Sequence, residues 1–385
     1  METPDYSIVN PKNLEPSLRE AVCQQCHLAG EIRVVRMERS LSDFRPGLPL
    51  DAVMRVLVRD HKGGDRKAVN HVEQMYLSKC YKASDGALGC ITCHDPHEKA
   101  PAEKRALRYR AACLKCHDCS SPVAARAKVG APDNCTACHM PQFAASDIVH
   151  AATTDHRIVR TREQSKSGGT PPKMGTQPLA FFPSRRPDFN DTTEVRDYAV
   201  GLVEMAKQGK ASGVEIARET LPLLERAIAE SPDDYRAWDA KSYSLHYSGR
   251  KSEALAAAQS VLSLFPNYES GLTHAAMLAF EVEQIDQSLK YWRKAVALNP
   301  GNAEYRQELA NLLAKSGDWS GAQVEAEEAV CLDPARATAH ALLAIARLRV
   351  GNRSKADKLF QTVELLAPPN LSQLRLRYNA ERARP

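Results

Sequence analysis

The second half of the chain carries a helical pattern of hydrophobic and polar residues that repeats at a fixed interval. From about residue 196 onward, apolar residues recur at helical spacing and prolines fall 34 residues apart. These prolines are Pro232, Pro266, Pro300, Pro334 and Pro368. A constant interval of this length predicts a stack of similar helical hairpins, because each hairpin can bury its apolar face only against its neighbours.

Small residues follow the same register. Alanine or serine stands twelve residues before four of the prolines, and alanine or valine stands five residues before all five. Small side chains there let two helices approach closely, and Gly249, Gly317 and Gly351 fall in the turn between them, where a left-handed residue is needed. The pattern resembles the tetratricopeptide repeat over roughly 201–368, in five units. The first unit fits least well, and the segment 371–383 predicts a capping helix.

We expect this half to be a binding scaffold without a catalytic role. By register, its inward-facing positions fall near polar residues, which favours recognition of a polar segment of a partner protein; these are Arg236, Asp239, His274, Arg306 and His340. A solenoid that only covers the rest of the protein is the alternative. Cys331 lies among apolar positions and is predicted to be a buried thiol.

The first half has no such periodicity, and its chemistry lies in cysteine and histidine. Ten of the 11 cysteines and nine of the 12 histidines lie between Cys23 and His156. Four C-x-x-C-H motifs account for most of them. The motifs are Cys23, Cys26 and His27; Cys90, Cys93 and His94; Cys113, Cys116 and His117; and Cys135, Cys138 and His139.

This spacing is typical of haem c attachment. Two thiols three residues apart reach the two vinyl groups of one porphyrin, and the following histidine becomes an axial ligand of the iron. A shuffled chain of this composition would hold roughly 0.01 such motifs, so four are not an accident. Zinc knuckles also use paired cysteines but do not need a histidine directly after each pair. The sequence therefore predicts four covalently bound haem c groups.

Each iron then takes a sixth ligand or leaves that position open. Candidate distal ligands outside the motifs are His61, His71, His97, His150 and His156, with Met75 and Met140 as alternatives. His97 follows its own motif too closely to fold back easily, so a neighbouring haem suits it better. Any of these histidines could instead lie at the surface or contact a propionate.

Two cysteines in this half stand outside the motifs. Cys80 and Cys119 would tend to pair as a disulfide in an oxidising compartment. Two free buried thiols are the alternative.

Longer stretches carry a more specific resemblance. AVCQQCHLAGE, HVEQMYLSKCYKASDGALGCITCHDPH and VHAATTDHRIVR, with the repeats, resemble a bacterial multihaem cytochrome c family that has C-terminal tetratricopeptide repeats and is related to the cytochromes of nitrifying electron-transfer chains. The resemblance covers roughly 7–160 and, with the repeats, most of the chain. It implies that all four motifs bind haem and favours His150 and His156 as ligands. Longer members carry an upstream segment with further haems.

The predicted fold is mainly α. A tetrahaem cytochrome c domain with little regular structure beyond short helices (1–156) precedes a linker rich in Gly, Pro, Ser and Lys (157–195) and an all-α repeat solenoid (196–385). No transmembrane segment or signal peptide is visible in this chain. Haem c is attached outside the cytoplasm, so we expect a periplasmic or other extracytoplasmic location and a removed or upstream export signal.

The mild formal charge of +5 is not concentrated in a patch, so we expect no nucleic-acid partner. The sequence best fits electron transfer, with redox protein partners and with the repeats docking a protein. One alternative is a multihaem oxidoreductase acting on small nitrogen or sulfur compounds. Another is a repeat scaffold whose haems are only structural.

Overall fold

The computed structural model describes residues 8–59, 69–98, 101–118, 134–145, 148, 150–160 and 179–384. The chain forms two compact units, Met1–Ile216 and Ala217–Pro385. Within the described ranges, no helix combines the length and the apolar character needed to cross a membrane.

The first unit combines short helices with two small sheets. Its helices are α1 (Pro16–His27), α2 (His71–Leu77), α3 (Lys79–Ala83), α4 (Cys90–Cys93), α5 (Ala102–Cys113), α6 (Cys135–His139) and α7 (Thr192–Lys207). Its strands are β1 (Ile32–Val35), β2 (Met54–Arg59), β3 (Gln142–Ala144), β4 (Ala152–Thr154) and β5 (Leu179–Phe181). Short helices were predicted for this half, whereas the strands were not.

The central strand β2 organises the core of this unit. It pairs antiparallel with β1 on one side and with β5 on the other, and Leu57 stands opposite both Ile32 and Phe181. Strand β2 reads MRVLVR with four buried apolar residues, as expected for a strand flanked on both edges. Residues of α1 and α2 pack on this sheet through Ala21 and Val72. The second sheet pairs β3 with β4.

The two units meet later along the chain than the predicted boundary. We predicted a linker over 157–195 and a solenoid from 196, but β5 completes the sheet of the first unit and α7 packs on β1 and β2. The apolar face of α7, with Val195, Ala199 and Val203 fully buried, is used by the sheet. Within the predicted linker, 161–178 lies outside the described residues.

A network of charged side chains fastens α7 to the sheet. The fully buried carboxylate of Asp197 lies 2.9 Å from the guanidinium of Arg196 and within 4 Å of Arg36 and Arg55. Burial raises the pKa of Asp197, while these three arginines act in the opposite direction. The Arg196 guanidinium also donates to the Val35 carbonyl of β1 at 2.9 Å. Removing one partner would leave buried charges without compensation.

The second unit confirms the helical repeat. Helix α8 (Gly213–Glu230) crosses the boundary between the units. Nine helices follow it: eight form four hairpins, and the ninth lies at the C-terminal end. These are α9 (Tyr235–Tyr247), α10 (Lys251–Leu264), α11 (Glu269–Glu281), α12 (Ile285–Leu298), α13 (Ala303–Lys315), α14 (Trp319–Leu332), α15 (Ala337–Arg349), α16 (Arg353–Leu366) and α17 (Leu371–Arg382). Four of the five predicted hairpins therefore lie wholly within this unit. The remaining one is the first along the chain, and its first helix is α7.

The predicted small residues lie where helices touch. Ala254, Ser288, Ala322 and Ala356 are fully buried, and so are Val261, Ala295, Ala329 and Val363. The three turn glycines have φ between 75° and 91°. In the hairpin without a turn glycine, Glu283 takes the same left-handed conformation with φ of 63°. The backbone geometry of the turn is thus kept even where its usual residue is missing.

The predicted capping helix is present as α17. The Tyr378 ring stacks on Phe360 with centroids 4.1 Å apart, and its hydroxyl donates to Asp357 at 2.6 Å. By contrast, the predicted burial of Cys331 was wrong, because its thiol is exposed. Cys331 stands two residues after buried Ala329, which turns it away from the buried face of α14.

Candidate cofactor-binding site

The four motifs lie on or directly after short helices of the first unit. The first motif ends α1, the second starts with α4, the third starts at the end of α5 and the fourth is α6. None of the eight motif cysteines is buried, and Cys26 and Cys116 are exposed. Side chains packed for stability alone would be expected deeper in the core. The motif cysteines are therefore accessible to a large group attached from outside.

Two motif histidines and two other histidines converge in what we call the histidine cluster, formed by His27, His71, His94 and His156. The rings of His27 and His71 have centroids 5.7 Å apart, and those of His94 and His156 have centroids 6.2 Å apart. The His71 and His156 rings meet edge to face at 4.7 Å. The cluster therefore brings two of the five predicted distal ligands against the first two motifs.

The cluster keeps His71 in its neutral form. Burial, followed by the neighbouring rings of His156, His27 and His94, lowers the pKa of His71 to about 4. Its buried Nδ1 has no hydrogen-bond partner in the part of the chain that the structure describes, and its Nε2 lies 3.3 Å from the Thr153 hydroxyl. A neutral imidazole with an unclaimed nitrogen is the form that binds a metal.

Backbone carbonyls fix the tautomer of two other histidines. The Nδ1 of His156 lies 2.8 Å from the Thr154 carbonyl, and the Nδ1 of His139 lies 2.8 Å from the Val159 carbonyl. Because a carbonyl only accepts, each Nδ1 carries the proton and each Nε2 is left with a lone pair. This is the usual arrangement around a metal-ligating histidine.

The first cysteines of the motifs lie in pairs. The thiols of Cys23 and Cys90 hydrogen-bond each other, which lowers the pKa of Cys23 and raises that of Cys90. Burial raises the pKa of Cys113 to about 11, and a hydrogen bond with Cys135 contributes to the rise. The fold thus places the first motif beside the second and the third beside the fourth.

A cleft of about 490 Å³ opens beside the second motif. Cys93 and His94 line one part of it, and Arg105 and Arg108 of α5 line another. The arginines bring positive charge to a cleft that also contains the carboxylate of Asp95, which lies 3.9 Å from Arg108. Guanidinium groups suit the propionates of a haem. The residues of this region therefore fit the predicted group.

Two polar residues that support the site were missed from the sequence. Glu20, which is 1% exposed, accepts from the Cys90 backbone N–H at 3.2 Å. Gln74, also 1% exposed, accepts from the His156 backbone N–H at 2.8 Å. Glu20 lies on the buried face of α1 with Ala21 and Gln24, and Gln74 lies on the buried face of α2. Because the buried face of α1 is itself largely polar, the sequence pattern gave no signal for Glu20.

The other predicted ligands have different positions. His97 and His150 are exposed, and His97 lines the cleft of the second motif. Among the described residues, the rings of His117 and His139 contact no second histidine ring. The predicted ligand His61 lies outside the described residues. Met75 is buried, and Met140 is half-buried.

The predicted disulfide is untested. Among the described residues Cys80 has no disulfide partner, and its Sγ lies 3.9 Å from Nε2 of His117; Cys119 lies outside the described residues. No group of three or more His, Cys, Asp or Glu side chains in the described ranges is arranged to hold a metal ion by itself. In a haem the porphyrin supplies four of the six iron ligands, so such a group is not required.

The predicted docking residues of the repeat unit are only partly available. Asp239, His274 and His340 are at most 7% exposed. His274 stacks on Tyr243 with centroids 3.6 Å apart, and His340 lies 3.0 Å from the Pro334 carbonyl. Three of the five polar positions are therefore used within the unit. An exposed aromatic side chain is found instead at Phe265, which is 44% exposed.

No protein-family model and no curated protein matches the chain. Among solved structures, MamA matches at 13% identity over 46% of this chain and 95% of its own, with a TM-score of 0.40. MamA 41-end from Desulfovibrio magneticus RS-1 matches at 18% identity over 45% and 94%, with a TM-score of 0.40. YrrB, described as a TPR protein with an unusual peptide-binding site, matches at 18% identity over 49% and 92%, with a TM-score of 0.43.

Proposed function

We propose that the first unit binds four haem c groups at its four motifs and transfers electrons, and that the repeat unit docks a protein partner. The observation that carries the proposal is the histidine cluster. It places His71 and His156 beside the motif histidines His27 and His94, at 5.7 and 6.2 Å between ring centroids. Bound haem supplies an iron that gains and loses one electron.

The residues of the chain contribute ligation, burial and charge. His71 offers a neutral imidazole, and the carbonyls of Thr154 and Val159 hold the Nδ1 protons of His156 and His139. With haem bound, ligation by these histidines and the hydrogen bonds to them would set the reduction potential. Arg105 and Arg108 would offset propionate charge at the second motif. The proposed location is extracytoplasmic, where haem c is attached.

Haem content is the direct test. Protein produced with a cytochrome c maturation system should gain the mass of four haems, and the gain should survive acid–acetone extraction. Replacing Cys135 and Cys138 by serine should reduce the number to three. Reversible redox titration would support electron transfer. A wild-type protein without covalent haem would overturn the proposal, and a strong high-spin ferric signal at rest would favour the oxidoreductase alternative.

A group of aromatic residues around exposed Phe265 supports the docking role of the repeats. Phe265 contacts Tyr235 and Tyr268 at 5.0 and 5.9 Å between ring centroids, and Arg236 lies over the Tyr235 ring. Aromatic residues and arginine are enriched at protein interfaces. A partner that exchanges electrons with the proposed haems would be a redox protein.

The docking role can be tested with matched surface variants. Partner capture by the full chain should fall at least tenfold in Phe265→Ser, whereas Leu366→Ser, a similarly exposed apolar residue in a later repeat, should leave it unchanged. Equal recovery of the same redox proteins by the wild type and both variants would contradict docking through this surface.

A further inference from the structure

The ring distances in the histidine cluster decide which histidines can share an iron. With a metal–nitrogen distance of about 2 Å, as for imidazole on Zn²⁺, two rings on opposite sides of one metal ion have centroids about 6 Å apart. The pairs His27–His71 and His94–His156, at 5.7 and 6.2 Å, match that separation. The pair His71–His156, at 4.7 Å, is too close.

The motifs restrict the assignment further. His27 and His94 each serve the haem of their own motif, so they cannot share one iron. Among the described residues, His71 has ring contacts only with His27 and His156. The contacts of His156 are with His71 and His94. The pairing of His27 with His71 and of His94 with His156 is then the one that gives each of the two motif histidines its own partner.

We propose that His27 and His71 bind opposite faces of the haem iron of the first motif, and that His94 and His156 bind opposite faces of the haem iron of the second. The assignment rests on the proposed haem content, and it names the ligand set of two sites. The two sites meet where the His71 and His156 rings touch.

Helix α2 is built to position both distal ligands. His71 is its first residue, and Gln74, one turn later, accepts from the His156 backbone N–H at 2.8 Å. The amide of Gln74 donates to Asn70 at 2.6 Å, which fixes its orientation. Gln74 is therefore a positioning residue. Among the described residues, the buried Nδ1 of His71 has no hydrogen-bond partner.

A double-mutant design tests the pairing in the full chain. In the wild-type background, His71→Ala and His156→Ala should each convert one low-spin haem to high spin, measured by electron paramagnetic resonance as the loss of one haem's share of the low-spin ferric signal. In a background without the first haem (Cys23→Ser with Cys26→Ser), His71→Ala should convert no further haem. His156→Ala should still convert one of the three that remain.

The mirror background, Cys90→Ser with Cys93→Ser, should reverse that result. If His71→Ala loses low-spin signal equally in both backgrounds, the pairing is wrong although the haem content stands. If the wild type carries no haem, the proposed function is wrong, and the pairing is wrong as well because it depends on bound haem. Should an alanine variant fold poorly, His71→Met retains a ligand and should raise the potential of one haem. That shift must disappear in the background without the first haem, and its persistence there would overturn the assignment.

Discussion

In the repeat unit, the contacts join residues that are near one another in the sequence, and equivalent contacts recur every 34 residues. In the first unit, the contacts that hold the fold together join residues that are far apart in the sequence. Ala254, Ser288 and Ala322 are equivalent and fully buried, each in its own hairpin. In the first unit, Gln74 reaches His156, and Arg196 reaches the carbonyl of Val35. Periodicity therefore reveals a fold only where sequence neighbours are also neighbours in space.

This difference predicts how each unit responds to substitution. The repeat unit distributes its stability over many similar helix contacts, so one change should have a moderate and local cost. The first unit depends on a few buried polar groups that several elements share, among them Asp197, Glu20 and Gln74. Changes at those groups should cost more.

The largest effect is expected at Asp197. Asp197→Ala removes the carboxylate that Arg196, Arg36 and Arg55 share, and it leaves buried guanidinium charge without compensation. We expect the first unit to lose about 3–5 kcal/mol of unfolding free energy. Hydrogen exchange resolved by segment should show faster exchange in β1, β2 and α7, with the repeat unit unchanged.

The matched control is an acidic residue in the repeat unit. Glu364 pairs with Arg375, and both side chains are more than a third exposed. Glu364→Ala should cost about 1 kcal/mol or less, because water screens exposed ion pairs. Equal costs at Asp197 and Glu364 would show that the charge network does not fasten α7 to the sheet.

The sequence revealed the two units unequally. It revealed the repeat helices, because the prolines and small residues recur at the same 34-residue interval in each repeat. It also identified the four motifs, because thioether chemistry fixes their spacing. It did not reveal that β5 and α7 belong to the first unit, since pairing Leu57 with Phe181 joins residues more than a hundred positions apart. The proximity of His71 and His156 depends on such long-range contacts too.

A smaller effect is expected from crowding within a hairpin. Ala322 is fully buried where α14 meets α13, so Ala322→Leu forces extra methyl groups into a packed contact. We expect a loss of about 1–3 kcal/mol, confined to the neighbouring hairpins. Val324, two residues later, is 59% exposed, and Val324→Leu should change stability by less than about 0.5 kcal/mol. Chemical denaturation followed by circular dichroism measures both, and similar losses would place Ala322 outside the contact.

The smallest effect is expected to stabilise the protein. Glu283 occupies the turn position that glycine holds in three other hairpins, with φ of 63°, and a left-handed residue with a side chain costs about 1–2 kcal/mol. Glu283→Gly removes that strain but adds freedom to the unfolded chain, so the net gain should be about 0.5–1 kcal/mol.

Gly317 provides the reverse experiment at the equivalent turn. A Cβ added there would meet no atom within 4 Å, so Gly317→Glu changes the backbone cost without creating a clash. It should destabilise the unit by about the amount that Glu283→Gly gains. Thermal unfolding of both single variants and of the double variant measures this, and the two effects should cancel in the double variant because the two turns belong to different hairpins. If Glu283→Gly lowered the stability, the glutamate side chain would have to contribute more than its backbone strain costs, and the repeats would not be equivalent at this position.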